Sequence, residues 1–158
     1  MFRKMTRAKQ QLTDAECVEL LKNLRRGVLS VLGDDGYPYG MPMNFWYDVE
    51  SGSIFFHGGN VGHKLDAIKV CDKVSFCVWD KGYRREGEWA LNIKSVIVFG
   101  RIRVVADHDR AIEISRKLSY KYTDDEGYID YEINKSAFRT VCLELVPEHM
   151  TGKLVNES

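Results

Sequence analysis

A chain of 158 residues with 23 Lys plus Arg against 23 Asp plus Glu has no net field to draw it onto nucleic acid or an anionic membrane. Its partners are therefore expected to be small molecules or a second copy of itself. A composition of 44% hydrophobic and 29% charged residues fits an ordinary globular protein and excludes collagen-like, disordered and disulfide-scaffold classes.

One domain over residues 1–158 is expected at this length, with residues 1–12 as an N-terminal arm. The basic residues of the arm, Arg3, Lys4, Arg7 and Lys9, are not interleaved with aromatics as a stacking surface for bases requires. They read as a solvated segment. Cys17, Cys71, Cys77 and Cys142 show neither C-x-x-C nor zinc-ribbon spacing. There is no apolar signal-peptide core behind the N-terminal charges and no run of about 18 apolar residues. A cytoplasmic protein with reduced thiols and no membrane span is the expectation.

In chain order, Thr13-Asp14-Ala15-Glu16 has the form of a capping box, in which Thr and Glu side chains satisfy each other's orphan backbone donors. Cys17, Leu20, Leu21 and Leu24 follow at i, i+3, i+4 and i+7, so a helix with one apolar stripe is predicted, with Gly27 as its terminator. Val28 to Leu32 reads as a strand, and Gly33-Asp34-Asp35-Gly36 as a tight hairpin turn. The next strand begins at Tyr37. Pro38 and Pro42 remove ladder donors, which places this strand at an edge or bulge with backbone free for something else.

Ser53 to His57 and Lys73 to Trp79 are two further strands, separated by a glycine-rich loop and a short helix from His63 to Val70. Trp89 to Val105 reads as one long strand bent near Gly100. Asp107 is positioned to cap a second long helix with Ala111, Ile114, Leu118 and Tyr122 as its buried stripe. Thr123 to Asn134, acidic and interrupted by Gly127, is predicted to be a loop, and Thr140 to Val146 a final strand. Short hairpin connections without β-α-β alternation predict an α+β, mainly β domain around a barrel-like antiparallel sheet, and exclude a Rossmann fold.

The stretch with most chemical content is Gly58-Gly59-Asn60-Val61-Gly62-His63-Lys64-Leu65. Glycines at a strand end allow close approach to the backbone, first-turn amides point outward, and an adjacent lysine adds charge, which together describe an anion site. A phosphate-binding P-loop would carry Gly before the Lys and Ser or Thr after it; His63 and Leu65 stand there instead, leaving no hydroxyl for magnesium. A monophosphate fits this pattern, and so does an ordinary strand-to-helix turn with a surface lysine. His57, His63 and Asp66 form a sparse donor set, and no metal site is expected. Neither a nucleophile elbow nor an activated Ser or Cys is visible. Trp46, Tyr47, Trp79, Trp89 and Phe99 fit a core or subunit interface as well as a wall for a planar ring.

Four ordered blocks, GVLSVLGDDGYPYGMPMNFWYD, IFFHGGNVGHKLDAI, KSVIVFGRIRVV and EHMTGK, resemble the pyridoxamine-phosphate-oxidase-related flavoproteins, in particular the nitroimidazole reductase (nitroimidazole resistance) branch. The resemblance spans Gly27 to Lys153. It implies a split β-barrel homodimer with FMN at the subunit interface, and with the balanced charge the expected partners are a small-molecule substrate and a second copy, with no nucleic acid and no membrane. It implies that Met41, Pro42, Met43 and Asn44 lie along the flavin ring, and that His57, Gly58 and Gly59 support the ring and ribityl chain. By the same resemblance Gly62, His63 and Lys64 meet the phosphate, while Lys94, Ser95, Val96 and Ile97 make contacts from the other subunit. His57 matches a histidine of the nitroimidazole reductases and is the candidate catalytic group.

The basic, histidine-containing substrate signature of authentic pyridoxamine phosphate oxidases is not found after Lys153, so pyridoxal phosphate production is not expected. The expected function is FMN-dependent reduction of a small organic acceptor such as a nitro compound with electrons from NAD(P)H. The alternatives are a non-enzymatic flavin-binding or sensing module and a haem-binding split barrel using His57 or His63.

Overall fold

A computed structural model describes residues 1–158. The first helix, α1 (Asp14–Asn23), begins where the capping box predicts. The Glu16 amide donates to Thr13 Oγ1 at 3.2 Å and the Thr13 amide donates to Glu16 Oε2 at 2.9 Å. Cys17 and Leu21 are buried, with Leu20 and Leu24 packed at the margin. Gly27 does not terminate the helix, which stops at Asn23 with Leu24 already extended. Gly27 lies instead in β1 (Arg26–Leu32), where any Cβ would come within 2.5 Å of the Phe76 ring.

β1 pairs with β2 (Pro38–Asn44) through a turn that places Asp35 at φ 55° and Gly36 at φ 77°, the left-handed pair a tight hairpin needs. The remaining strands are β3 (Trp46–Tyr47), β4 (Ile54–Gly59), β5 (Lys73–Trp79), β6 (Asn92–Val104) and β7 (Thr140–Asn156). Every pairing is antiparallel, in one sheet of order β2-β1-β5-β6-β7-β4-β3. β2 is therefore an edge strand, where its two prolines cost no ladder bonds. Inward-facing Leu29, Val31, Phe76, Val78, Val96, Val98, Phe56, Leu143 and Leu145 fill the interior of the curled sheet.

The bend falls where Gly100 predicts it. Register shifts between Phe99 and Gly100, and a Cβ at Gly100 would meet the Val146 carbonyl oxygen at 2.2 Å. The same irregularity explains why β7 runs ten residues past its expected end at Val146. Gly100 is paired with Pro147 and Phe99 with His149, so Pro147 sits at the bulge, where a missing N–H is tolerated. β6 starts at Asn92, three residues later than expected from Trp89.

The connection from β6 to β7 is built on two helices. Asp107 caps α3 (His108–Tyr120), accepting the Arg110 amide at 2.6 Å, and Ile114 and Leu118 are its buried stripe. The segment expected as a loop holds α4 (Glu126–Ser136) instead. Asp125 accepts the Tyr128 amide at 2.9 Å, acidic residues occupy the positive end of the dipole, and Ile129 is buried. Gly127 falls in the first turn, where its cost to a helix is small. The glycine-rich loop leads into α2 (His63–Val70), as expected. No helix is long and apolar enough to cross a membrane.

Candidate functional site

β4 ends in Gly58-Gly59, and after Asn60, Val61 and Gly62 the chain enters α2 with His63 and Lys64 in its first turn. The Lys64 side chain folds back under the strand end, and a Cβ on Gly58 would lie 2.9 Å from its Nζ. A side chain on Gly58 would push the ammonium out of that space. The one polar contact of the ammonium is the Met43 sulfur at 3.7 Å, and it belongs to none of the lysine ion pairs. Partial burial lowers its pKa. A half-buried cation without a counter-charge is held at a cost that an incoming anion would offset.

His63 takes the other side of the loop. It stacks on Tyr39 with centroids 4.4 Å apart, and its Nε2 accepts the Asp34 amide at 3.3 Å, with the Asp34 carboxylate 3.6 Å away. The helix start is thus anchored to the β1–β2 hairpin by His63 while Lys64 remains free to meet a ligand. Along β2 the side chains alternate: Met41 and Met43 pack on the core, and Pro42 and Asn44 stay exposed on the opposite face.

His57 is paired with Cys142 and faces away from the barrel interior, toward α3 and α4. Burial, and secondarily the Lys64 charge, push its pKa down, so the imidazole is neutral near pH 7. Although its outer edge meets solvent, enough protein surrounds the ring to disfavour the imidazolium. His57 and Asn44 together open onto a cavity of about 290 Å³ between the β4–β7 edge and the two helices.

Three of the expected segments, Met41–Asn44, His57–Gly59 and Gly62–Lys64, therefore converge at one end of the sheet. Lys94–Ile97 do not join them. β6 is separated from β2 by two strands and from β4 by one, and Ser95 pairs with Lys153 whereas His57 pairs with Cys142, eleven residues back along β7. Within this segment Lys94 Nζ lies 3.6 Å from Glu16, Val96 is fully buried, and Ile97 projects from the outer face. His57, His63 and Asp66 do not gather into a metal-ligating group.

Sequence reasoning missed the helical wall of the cavity, including Ser115, Ile129 and Ile133, and the clasp made by Tyr122. The Tyr122 hydroxyl accepts the Phe45 amide at 3.0 Å and donates to the Arg25 carbonyl, fixing the end of β2 against α3. The available signal was the Asp125 cap followed by Ile129 and Ile133 at i and i+4, which the acidic residues and Gly127 obscured.

The sequence model of the family described as Pyridoxamine 5'-phosphate oxidase matches residues 13–154. The chain belongs to that family. Among curated proteins none matches it. Solved structures share its fold. A proposed 5-nitroimidazole antibiotic resistance protein from Bacteroides thetaiotaomicron superposes with TM-score 0.78 at 17% identity, over 92% of this chain and 87% of that one. An FAD-binding protein from Mesorhizobium loti gives 0.65 at 22%, over 92% and 97%. An FAD and heme binding protein from Mycobacterium smegmatis gives 0.73 at 21%, over 94% and 74%. At these identities the likeness establishes the fold, a split barrel with flanking helices, and the curled seven-stranded sheet matches it.

Proposed function

We propose that the chain is an FMN-dependent oxidoreductase that works as a homodimer and passes electrons from NAD(P)H to a small organic acceptor such as a nitroimidazole. The observation that carries this reading is the Lys64 ammonium, half-buried, unpaired, and set beneath a glycine strand end at a helix N-terminus. The residues fit a flavin monophosphate: a cation and first-turn amides for the phosphate, and the exposed face of β2 at Pro42 and Asn44 for a planar ring. Bound there, the flavin would supply the redox chemistry. Lys64 would balance the phosphate charge, Gly58 and Gly59 would admit the chain of the cofactor, and neutral His57 would offer a hydrogen bond without adding charge.

The homodimer is supported by the outer face of the sheet, where Trp79, Ile97 and Phe99 are 52%, 39% and 40% exposed. A second copy packed there would cover this apolar surface and bring Ser95 and Ile97 to the first copy's β2 edge. The names of the relatives, one in nitroimidazole resistance and two binding FAD, are consistent with a flavin in this fold.

The deciding experiment is an absorbance scan of the purified protein after incubation with FMN, then anaerobic addition of NADPH and a nitroaromatic. Flavin bands that bleach and recover bear out the proposal. Absence of flavin uptake refutes it, and bound flavin unreactive to both additions converts it to a flavin-binding module.

A further inference from the structure

The 290 Å³ cavity beneath α3 and α4 is assigned no occupant by the flavin reading, yet its chemistry is specific. We propose that it is the acceptor's pocket and that it takes an uncharged organic molecule, one apolar ring in size, whose single hydrogen-bond-accepting head is held at Asn44 and His57. As an electron acceptor's pocket it rests on the flavin reading; as a binding site it does not.

Size sets the first limit. Ligand cavities usually run from about 300 to 1,000 Å³, so this one, at the bottom of the range, accommodates one substituted ring and not a nucleotide or peptide.

The second limit comes from the walls. Ile112, Leu118, Ile129 and Ile133 present carbon. The hydroxyls between them have already spent their protons: Ser119 donates to the Ser115 carbonyl at 2.8 Å, Ser136 to the Glu132 carbonyl at 2.5 Å, and Thr140 to the Ser136 carbonyl at 2.9 Å. Tyr122 donates to the Arg25 carbonyl, and Ser115 is engaged with Cys142 Sγ at 3.2 Å. A polar group pushed against these five hydroxyls would find no free donor among them and lose its hydration.

Unspent donors sit at the strand side. The Asn44 amide and the His57 ring line the cavity and make no hydrogen bond within the chain. They stand on β2 and β4, the strands that carry the proposed flavin contacts, so the head of an occupant would lie beside the ring and its body under the helices. The other unspent donors of the lining lie off the strands: Tyr128 and His108 are exposed, and the Thr123 hydroxyl accepts the Asp125 amide at 3.2 Å.

Charge sets the third limit. No lysine or arginine lines the cavity, burial pushes the His57 pKa down, and the second lining histidine, His108, is exposed to water; the Glu132 carboxylate on the helical side is 3.8 Å from Lys135. An anion would lose hydration with no fixed cation beside it and would face Glu132; a neutral molecule pays neither penalty.

The test uses the full-length, FMN-incubated protein with labelled isoleucine methyls and two probes of similar shape, para-nitrotoluene and para-nitrobenzoate. The toluene should shift the NMR signals of Ile112, Ile129 and Ile133, with the benzoate binding at least about tenfold more weakly. Ile112→Trp, which fills the cavity, should lower the toluene's affinity by at least about tenfold while flavin content stays unchanged. Silent isoleucines in flavin-loaded protein, equal binding of the two probes, or undiminished binding to folded Ile112→Trp would each overturn the assignment. Should that variant not fold, the wild-type methyl shifts decide alone. A protein that never takes up FMN yet shows the shifts overturns the flavin reading and leaves the ligand class standing.

Discussion

Replacing Lys64 by Met separates charge from packing. The side chain enters a space bounded by Gly58 and Met43, where the ammonium has no carbonyl or carboxylate partner. Removing it from the flavin-free protein deletes no strong interaction and relieves a desolvation cost that already lowers the lysine pKa. The melting temperature of the flavin-free variant should match or exceed that of the wild type. Any excess should be largest at low pH and shrink as pH rises through the lowered pKa, because a base with a depressed folded-state pKa penalises the native state only while it is protonated. FMN binding should move the opposite way. Loss of one charge-assisted hydrogen bond costs about 1.5–3 kcal/mol, or roughly 12- to 150-fold in Kd, measured by quenching of flavin fluorescence. Unchanged affinity would refute the phosphate assignment, and an affinity loss matched by an equal loss of flavin-free stability would show that Lys64 is structural.

Tyr122→Phe strands the Phe45 amide that now donates to the hydroxyl, so chemical denaturation should show a loss of about 1–3 kcal/mol; no change would mean the clasp is not formed. Gly100→Ala drives a Cβ to 2.2 Å from the Val146 carbonyl and should cost about 1–3 kcal/mol or more, a reading sunk by stability within about 0.5 kcal/mol of wild type. The Lys121 pKa is brought down to about 8 by burial first and Arg25 second, against about 10.4 in the unfolded chain. The unfolded state therefore binds more protons between these values, and wild-type stability should rise with pH there relative to Lys121→Met. The Phe45 ring, 3.7 Å from Nζ, favours the charged form, so a flat difference would show that this attraction cancels the desolvation. Ile97→Glu should turn the proposed dimer into monomers by light scattering and lower FMN retention with it; a monomeric wild type would defeat this reading.

How much of this was legible in the sequence depended on whether the deciding interaction was local. The α1 capping box, the Asp35-Gly36 turn, the edge prolines and the Asp107 cap are each decided within four residues, and each was readable. The extension of β7 beyond Val146 was not, because it depends on Gly100 lying across the sheet from Pro147. The α4 helix was hidden for a related reason. Its propensity is weak, and it is held by tertiary contacts, with Ile129 buried and Asp130 bound to Arg116 at 2.6 Å. At the candidate site the residue types around Gly58 and Lys64 were legible, but the opposite directions taken by His63 and Lys64 follow from Tyr39 and Asp34, about 24 to 29 positions away. The cavity required α4 and so could not be foreseen.

The two groups of expected contacts are far apart on one chain, which is a geometric argument for the proposed homodimer. Cys142, opposite His57, and Lys153, opposite Ser95, are eleven residues apart on β7, or about 36 Å along an extended strand. Curling shortens that path, but β6 still lies two strands from β2 and one from β4. One chain thus carries each half of the proposed site once, at positions it cannot bring together. A two-fold axis through the exposed face of β5 and β6 would pair each Lys64 half with the partner's Lys94–Ile97 half and yield two identical sites. On that reading FMN affinity depends on protein concentration, because every step that separates the chains also divides the binding site. A monomer that held the flavin with undiminished affinity at high dilution would show that the β2, β4 and α2 half suffices on its own.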